Sequence, residues 1–182
     1  MKSLYIFLTR TESIVSKIVH FFTNDTYTHS AIAFDRELVD IYSSARKNGI
    51  NMFPAGPCRE HLDRGFYARV GKTPCAIYEL KVTDEVYDRA KDEVDWFMQH
   101  QDDFKFSALG IIACKFGVAW QRKNKYFCSQ FVAEILRRSG AAELPKINCL
   151  MRPSDYMILD GLTKIFEGDI GEVQKIREES LV

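Results

Sequence analysis

The chain has 182 residues, of which 46% are hydrophobic and 13% aromatic, with 25 basic and 25 acidic side chains. This length suits one domain spanning residues 1–182, and the apolar fraction provides a core and excludes extensive disorder. A net charge of zero argues against nucleic acid or an acidic membrane surface as a partner, because no overall positive field attracts them. The basic stretch Arg122, Lys123 and Lys125 is interpreted as solvated surface.

Several features indicate a cytoplasmic protein without a membrane segment or a cofactor. The apolar run at residues 4–8 is too short for the core of a signal peptide. The longest apolar stretch, residues 106–120, contains Lys115 and is shorter than the roughly 20 residues of a membrane span. The five cysteines are odd in number and irregularly spaced, which predicts reduced thiols. Cys58 and His61 lack a second ligand pair, so we expect no zinc site.

The first half of the chain predicts a sheet. Alternation and β-forming residues predict strands at 3–9, 28–34, 38–44 and 76–82, and apolar residues at helical spacing predict a helix at 12–22. The second and third strands are predicted to form a hairpin around a turn at 35–37. Residues 48–71 are rich in Gly, Pro and Asn and are predicted to form a long irregular excursion.

The second half predicts helices. One is expected from Asp84, as its cap, to about residue 100, a second over residues 107–120, and a third over residues 127–139 with Gly140 as its stop. A shorter helical turn is predicted at Pro153. The expected fold class is therefore α+β, with a small antiparallel sheet packed against helices.

Cys128 is the candidate nucleophile. It begins the predicted third helix, and the apolar residues three, four, seven and eight positions later share its side of that helix. In the first turn, unpaired N–H groups and the helix dipole favour a thiolate. The N–H of Cys128 would also bind the oxyanion formed when a carbonyl is attacked. No Ser, Thr, Asp or Asn immediately precedes Cys128, so the cap of this helix is unidentified.

His29 is the candidate base. It lies at the start of the second predicted strand, where alternation places it on one face with Ala31 and Ala33. Two small neighbours leave room for a helix or a substrate beside the imidazole. A histidine near a helix-terminal cysteine would stabilise the thiolate as an ion pair.

A third group should orient the imidazole, and the hairpin loop decides which one. A loop of two residues places Tyr42 opposite His29 and Asp40 one diagonal away, within side-chain reach. A loop of three residues selects the other face instead, including Ser43. Asp40 is the carboxylate of the first set and is therefore the predicted third residue, with Tyr42 and Ser43 as alternatives.

Two motifs resemble the permuted branch of the NlpC-type cysteine peptidases, which contains the YiiX-like proteins and the lecithin:retinol acyltransferase relatives. The first is Thr-His-small-small-Ile at residues 28–32, and the second is the cysteine that starts a helix, with Phe-Val after it, at residues 128–132. The histidine precedes the cysteine, as in that branch and in contrast to papain. The Arg-Pro-Ser-Asp segment at residues 152–155 also resembles one that follows the nucleophile helix.

The resemblance implies a circularly permuted papain-like fold and acyl-enzyme chemistry. Cys128 would attack an amide or ester carbonyl, His29 would transfer the proton, and Asp40 would orient His29. The leading hypothesis is a thiol hydrolase, of the peptidase or amidase type, acting on a peptide or another amide. Two alternatives are a lipid-directed acyltransferase or phospholipase with the same dyad, and a non-catalytic binding module that kept the fold.

Overall fold

A computed structural model of the chain describes residues 1–10, 25–46, 55–65, 67–69 and 72–180. The predicted helix at residues 12–22 lies outside these ranges. Within them the protein is a mixed α+β structure built on a six-stranded antiparallel sheet, so the predicted class is confirmed. The strands are β1 (Lys2–Thr9), β2 (His29–Ala33), β3 (Ile41–Arg46), β4 (Ala55–Glu60), β5 (Pro74–Val82), β6 (Lys105–Phe106), β7 (Lys125–Tyr126) and β8 (Leu162–Asp169).

The order of strands in the large sheet is β4-β3-β2-β1-β5-β8, and β6 and β7 form a separate parallel pair. Four α-helices and three 3₁₀ helices complete the described structure. The α-helices are α1 (Asp84–Gln99), α2 (Ala108–Lys115), α3 (Cys128–Ser139) and α4 (Ile170–Ser180), and the 3₁₀ helices are Tyr67–Arg69, Asn148–Leu150 and Pro153–Ile158. None of the helices in the described ranges is long and apolar enough to cross a lipid bilayer.

The sheet is covered on both faces, and each face has its own apolar core. Alternate residues of β1, such as Leu4 and Ile6, pack with the buried sides of α1 and α3. The intervening residues, such as Phe7, pack on the opposite face with Tyr67 and with the first turns of α4. The central strand β1 therefore consists almost entirely of buried residues, which hides the alternation expected for a strand with one exposed face.

The helix ends follow local chemistry. The side chain of Thr83, rather than Asp84, caps α1 by accepting a hydrogen bond from the N–H of Val86 at 3.3 Å. The end of α3 at Gly140 is as predicted, because that glycine has a φ of 72° and so ends the helix in the left-handed conformation. Helix α2 is shorter than predicted and ends at Lys115, two residues before Gly117.

The segment predicted as an irregular excursion contains a strand, β4. Its Gly56 and Pro57 weaken the strand pattern in the sequence, but β4 is an edge strand, where proline is tolerated. Gly56 is required by close packing, since a Cβ atom at this position would lie 2.8 Å from the backbone oxygen of Phe104. The backbones of β4 and of the segment at β6 are thus in contact.

Gly56→Ala tests this contact. Because the neighbouring atom belongs to backbone, one of the two segments must shift, and we expect the free energy of unfolding to fall by about 1–3 kcal/mol. Urea denaturation of the wild type and the variant measures the difference. An unchanged transition midpoint would contradict the close approach of β4 and Phe104.

Candidate active site

Cys128 is the first residue of α3 and is 7% exposed. The preceding Phe127 has extended dihedral angles (φ −100°, ψ 171°) and supplies no side-chain hydrogen bond to the helix end. The N–H groups of the first turn are therefore left without a side-chain cap, which agrees with the absence of a capping residue in the sequence. These groups and the helix dipole favour negative charge on the Cys128 sulfur.

A short segment after α3 holds this helix end in place. The hydroxyl of Ser129 donates to the backbone oxygen of Met151 at 2.7 Å, and the hydroxyl of Tyr156 donates to the backbone oxygen of Ser129 at 2.6 Å. The carboxylate of Asp155 accepts from the N–H of Arg152 at 2.8 Å and so fixes the turn that carries Tyr156. These hydrogen bonds position the first turn of α3, and with it Cys128.

The strands β2 and β3 separate where the thiol lies. Their pairing ends with Ile32 opposite Tyr42, so the backbone amide of Ser30, two positions earlier, has no partner in β3. Instead, the backbone amides of Ser30 and Ser129 hydrogen-bond to the sulfur of Cys128. The start of α3 thus occupies the opening between two strands of the sheet.

His29 contacts both Cys128 and Glu60. Its Nε2 lies 2.8 Å from Oε1 of Glu60, and its ring is hydrogen-bonded to the Cys128 thiol. The side chains of His29 and Glu60 are only 12% and 10% exposed, so this contact is largely shielded from water. The imidazole therefore bridges the thiol and a carboxylate.

Glu60 is itself held by two further donors. The hydroxyl of Ser43 donates to Oε1, and the hydroxyl of Tyr67 donates to Oε2 at 2.8 Å. His29 starts β2, Ser43 lies on β3 and Tyr67 starts a 3₁₀ helix, so three separate elements converge on the carboxylate at the end of β4. With the imidazole, these donors satisfy both carboxylate oxygens, which a buried charge requires.

The electrostatics favour a thiolate beside an imidazolium. Burial alone would lower the pKa of His29, but the charges and hydrogen bonds of Glu60 and Cys128 raise it to about 10. Burial would raise the pKa of Cys128, yet the hydrogen bond and charge of His29 and the backbone amides lower it. The pKa of Glu60 is lowered against its burial by His29, Ser43 and Tyr67. Around neutral pH the ion-paired state is therefore favoured.

The other cysteines differ from Cys128. All five cysteines are described, and none forms a disulfide. Burial raises the pKa of Cys75 to about 12, and burial also raises the pKa values of Cys114 and Cys149. These three are thiols at neutral pH, whereas the pKa of Cys128 shifts in the opposite direction. In the described part of the chain, no group of His, Cys, Asp and Glu is arranged to hold a metal ion.

The structure places Asp40, the predicted third residue, away from His29. Its carboxylate pairs with Arg59 at 2.6 Å and is partly exposed. The reason is the hairpin loop, which spans residues 35–39, longer than either length considered from the sequence. Asp35 shapes this loop by accepting the N–H groups of Val39 and Asp40 at 2.7 Å each. The resulting register turns Asp40 to the face opposite His29.

The same register places the two alternative third residues, Tyr42 and Ser43, on opposite faces of the sheet. Tyr42 packs edge-on against the ring of Phe34 on the face covered by α1 and α3. Ser43 lies on the face of His29 and contacts it indirectly, through Glu60. Sequence reasoning missed Glu60 because it ends a strand that was not predicted. The only sequence feature that could have indicated Glu60 is its position as a carboxylate at the end of a short extended segment that follows Pro57.

A cleft lies beside Cys128. Residues of α2, of the start of α3 and of the segment 151–153 line it. Its lining residues are Asp25, Thr28, Ile111, Cys114, Lys115, Phe127, Cys128, Ser129, Met151, Arg152 and Pro153. The lining is mainly apolar, and two cations, Lys115 and Arg152, belong to it. Cys128 is therefore one of the residues that line a shallow apolar depression.

Comparison of the chain with protein-family models and with curated proteins finds no match. The geometry of the site and the two sequence motifs are therefore the basis for inferring its chemistry.

Proposed function

We propose that the protein is a cysteine hydrolase of the permuted NlpC-like papain fold that cleaves an amide, peptide-like bond through an acyl-enzyme intermediate. Cys128 is the nucleophile, His29 is the general base and acid, and Glu60 orients His29. The observation that carries this proposal is the imidazole that bridges the Cys128 thiol and the buried carboxylate of Glu60. A nucleophile, a base and an orienting group in hydrogen-bond series are the signature of an activated thiol.

The chemistry follows from these positions. The Cys128 thiolate attacks the carbonyl carbon, and the carbonyl electrons move to oxygen, which accepts a hydrogen bond from the N–H of Cys128. The imidazolium of His29 gives its proton to the leaving amine as the C–N bond breaks. His29 then takes a proton from water, whose oxygen attacks the thioester. Collapse of that intermediate releases the acid and restores the ion pair.

The arrangement of elements supports the same reading. The helix of the cysteine packs against an antiparallel sheet, and the histidine lies on a strand that comes earlier in the chain. This is the order that the permuted branch implies. We also infer a cytoplasmic location, because a reactive thiol with four further reduced cysteines suits a reducing compartment.

Selective alkylation tests the nucleophile. With iodoacetamide at pH 7, followed by peptide mass spectrometry, Cys128 should be labelled at least about tenfold faster than Cys114, since only the former is a thiolate. Cys114 is a suitable reference because it lines the same cleft. Equal rates would contradict the proposal and favour a binding module that lacks turnover.

A second candidate is acyl transfer from, or hydrolysis of, a lipid ester with the same dyad. The mainly apolar cleft favours it, because apolar walls suit a fatty acyl chain as well as an apolar peptide side chain. Release of fatty acid from phospholipid vesicles distinguishes the two. If the wild type and Cys128→Ser release fatty acid at the same background rate, the lipid reaction is excluded. If the wild type cleaves a peptide amide and Cys128→Ser does not, the first candidate is supported.

A further inference from the structure

Helix α2 has an apolar face that the described residues leave uncovered. Leu109, Ile112 and Phe116 recur at the three- and four-residue spacing of one helix face, and the opposite face carries the buried Gly110 and Cys114. The segment directly after α2 adds two more exposed apolar residues, Val118 and Trp120. We call this surface the α2 patch; its residues and exposed fractions are Leu109 50%, Ile112 50%, Phe116 71%, Val118 55% and Trp120 47%.

Contiguous exposed apolar side chains of this kind mark a binding surface. Isolated exposed apolar residues are normal, but here five lie within twelve residues of sequence. Two of them are the large aromatics Phe116 and Trp120. Covering them would remove apolar area from water, so the α2 patch favours an apolar partner or the acyl region of a membrane.

The charges around the α2 patch identify which partner fits. Residues 104–133 contain no acidic residue, although acids and bases are equal in number over the whole chain. The cations of this stretch are Lys105, Lys115, Arg122, Lys123 and Lys125. This stretch therefore carries a net positive charge that the balance of the whole chain conceals. Such a charge complements anionic headgroups.

Two of these cations lie directly over the exposed aromatic rings. The ammonium nitrogen of Lys115 is 5.2 Å from the ring centre of Phe116, and the guanidinium of Arg122 is 4.9 Å from that of Trp120. An aromatic ring with a cation at its rim matches the boundary between acyl chains and phosphates, where tryptophan is enriched.

We propose that the α2 patch binds the surface of a membrane that carries anionic lipids. Apolar side chains of α2 enter the headgroup boundary, and Arg122 and Lys123 contact lipid phosphates. Ile111, Cys114 and Lys115 of the same helix line the cleft at Cys128, so binding places the cleft beside the membrane. Membrane binding does not require catalysis. Vesicle binding can therefore be present or absent whether or not Cys128 is a catalytic nucleophile.

Vesicle sedimentation with the full chain tests the proposal. We expect the protein to pellet with vesicles of phosphatidylcholine mixed with an equal amount of phosphatidylglycerol, and far less with phosphatidylcholine alone or in high salt. Phe116→Ser should weaken binding about tenfold and Lys123→Glu about fivefold or more. Cys128→Ser should bind like the wild type, because the thiol lies outside the α2 patch.

A matched pair of variants provides the control. Ile112 and Ile176 are helical isoleucines with 50% and 52% exposure, and Ile176 lies on α4, which covers the opposite face of the sheet. Ile112→Ser should reduce vesicle binding and Ile176→Ser should not. Trp96→Phe leaves Trp120 as the single tryptophan of the sequence, and brominated lipids should quench its fluorescence when the protein binds vesicles. This measurement does not require that the serine variants fold.

Three outcomes would overturn the proposal. They are no sedimentation with anionic vesicles, equal losses in Ile112→Ser and Ile176→Ser, and no quenching of Trp120. Light scattering that shows a concentration-dependent dimer, dissociated by Ile112→Ser and unaffected by vesicles, would assign the α2 patch to self-association instead.

Discussion

His29→Ala should make alkylation of Cys128 more steeply dependent on pH between about pH 6 and 8 than it is in the wild type. In the wild type His29, whose own pKa is raised to about 10, stays an imidazolium through this range and lowers the pKa of Cys128, which favours the thiolate. Without the imidazolium, the strongest influence that lowers the thiol pKa is lost while burial still raises it, so the thiolate fraction at pH 6 should fall. The rate should then rise about tenfold per pH unit.

The measurement is the iodoacetamide rate at Cys128 from quenched time points at several pH values. Cys114, whose pKa burial raises, provides an internal control that should show the steep dependence in both proteins. Turnover of any amide substrate should fall by about 10²–10⁴-fold in the same variant. A flat pH profile in His29→Ala would show that His29 does not control the charge of the sulfur.

Glu60→Gln is expected to lower the pKa of His29. The highest pH at which Cys128 stays reactive and the protein turns over substrate should therefore fall. The charge of Glu60 is the largest influence raising the pKa of His29, and the imidazolium persists below about 10 and is lost as pH rises through that value. Without the charge, the alkaline limit of thiolate reactivity and turnover should fall by more than about one pH unit. The acidic limit, set by Cys128, should rise.

Asp40→Asn is the matched control. It also replaces a carboxylate by an amide, but Asp40 pairs with Arg59 and lies on the face opposite His29. NMR titration of the His29 ring should therefore give the wild-type pKa in Asp40→Asn and a lower one in Glu60→Gln. Equal effects of the two variants would contradict the role assigned to Glu60.

Local patterns predict much of this structure. The start of β2 at His29 and the span of α3 from Cys128 to Gly140 follow from alternation, helical spacing and a stop glycine. These are the two elements that carry the nucleophile and the base. The sequence therefore nominates His29 and Cys128, and the structure brings them into hydrogen-bonding contact.

Long-range pairing is what local patterns leave open. The strand β4 contains Gly56 and Pro57, and its pairing depends on an edge position that no local signal reveals. The strand β8 was not predicted either, since it pairs with β5 from a distant part of the chain and has few buried residues. The hairpin loop adds a third case, because the carboxylate of Asp35 lengthens it and changes which residues face His29.

The edge position of β4 separates the stability of the nucleophile from that of its electrostatic support. Cys128 belongs to a helix buried against the sheet, whereas Glu60 is the terminal residue of an outermost strand. Outer strands detach in subglobal opening events that cost less free energy than complete unfolding. Such an event would withdraw the carboxylate from the imidazole while the packing of α3 persists. At low denaturant concentration the reactivity of the Cys128 thiolate should therefore fall before the helices packed on the sheet unfold.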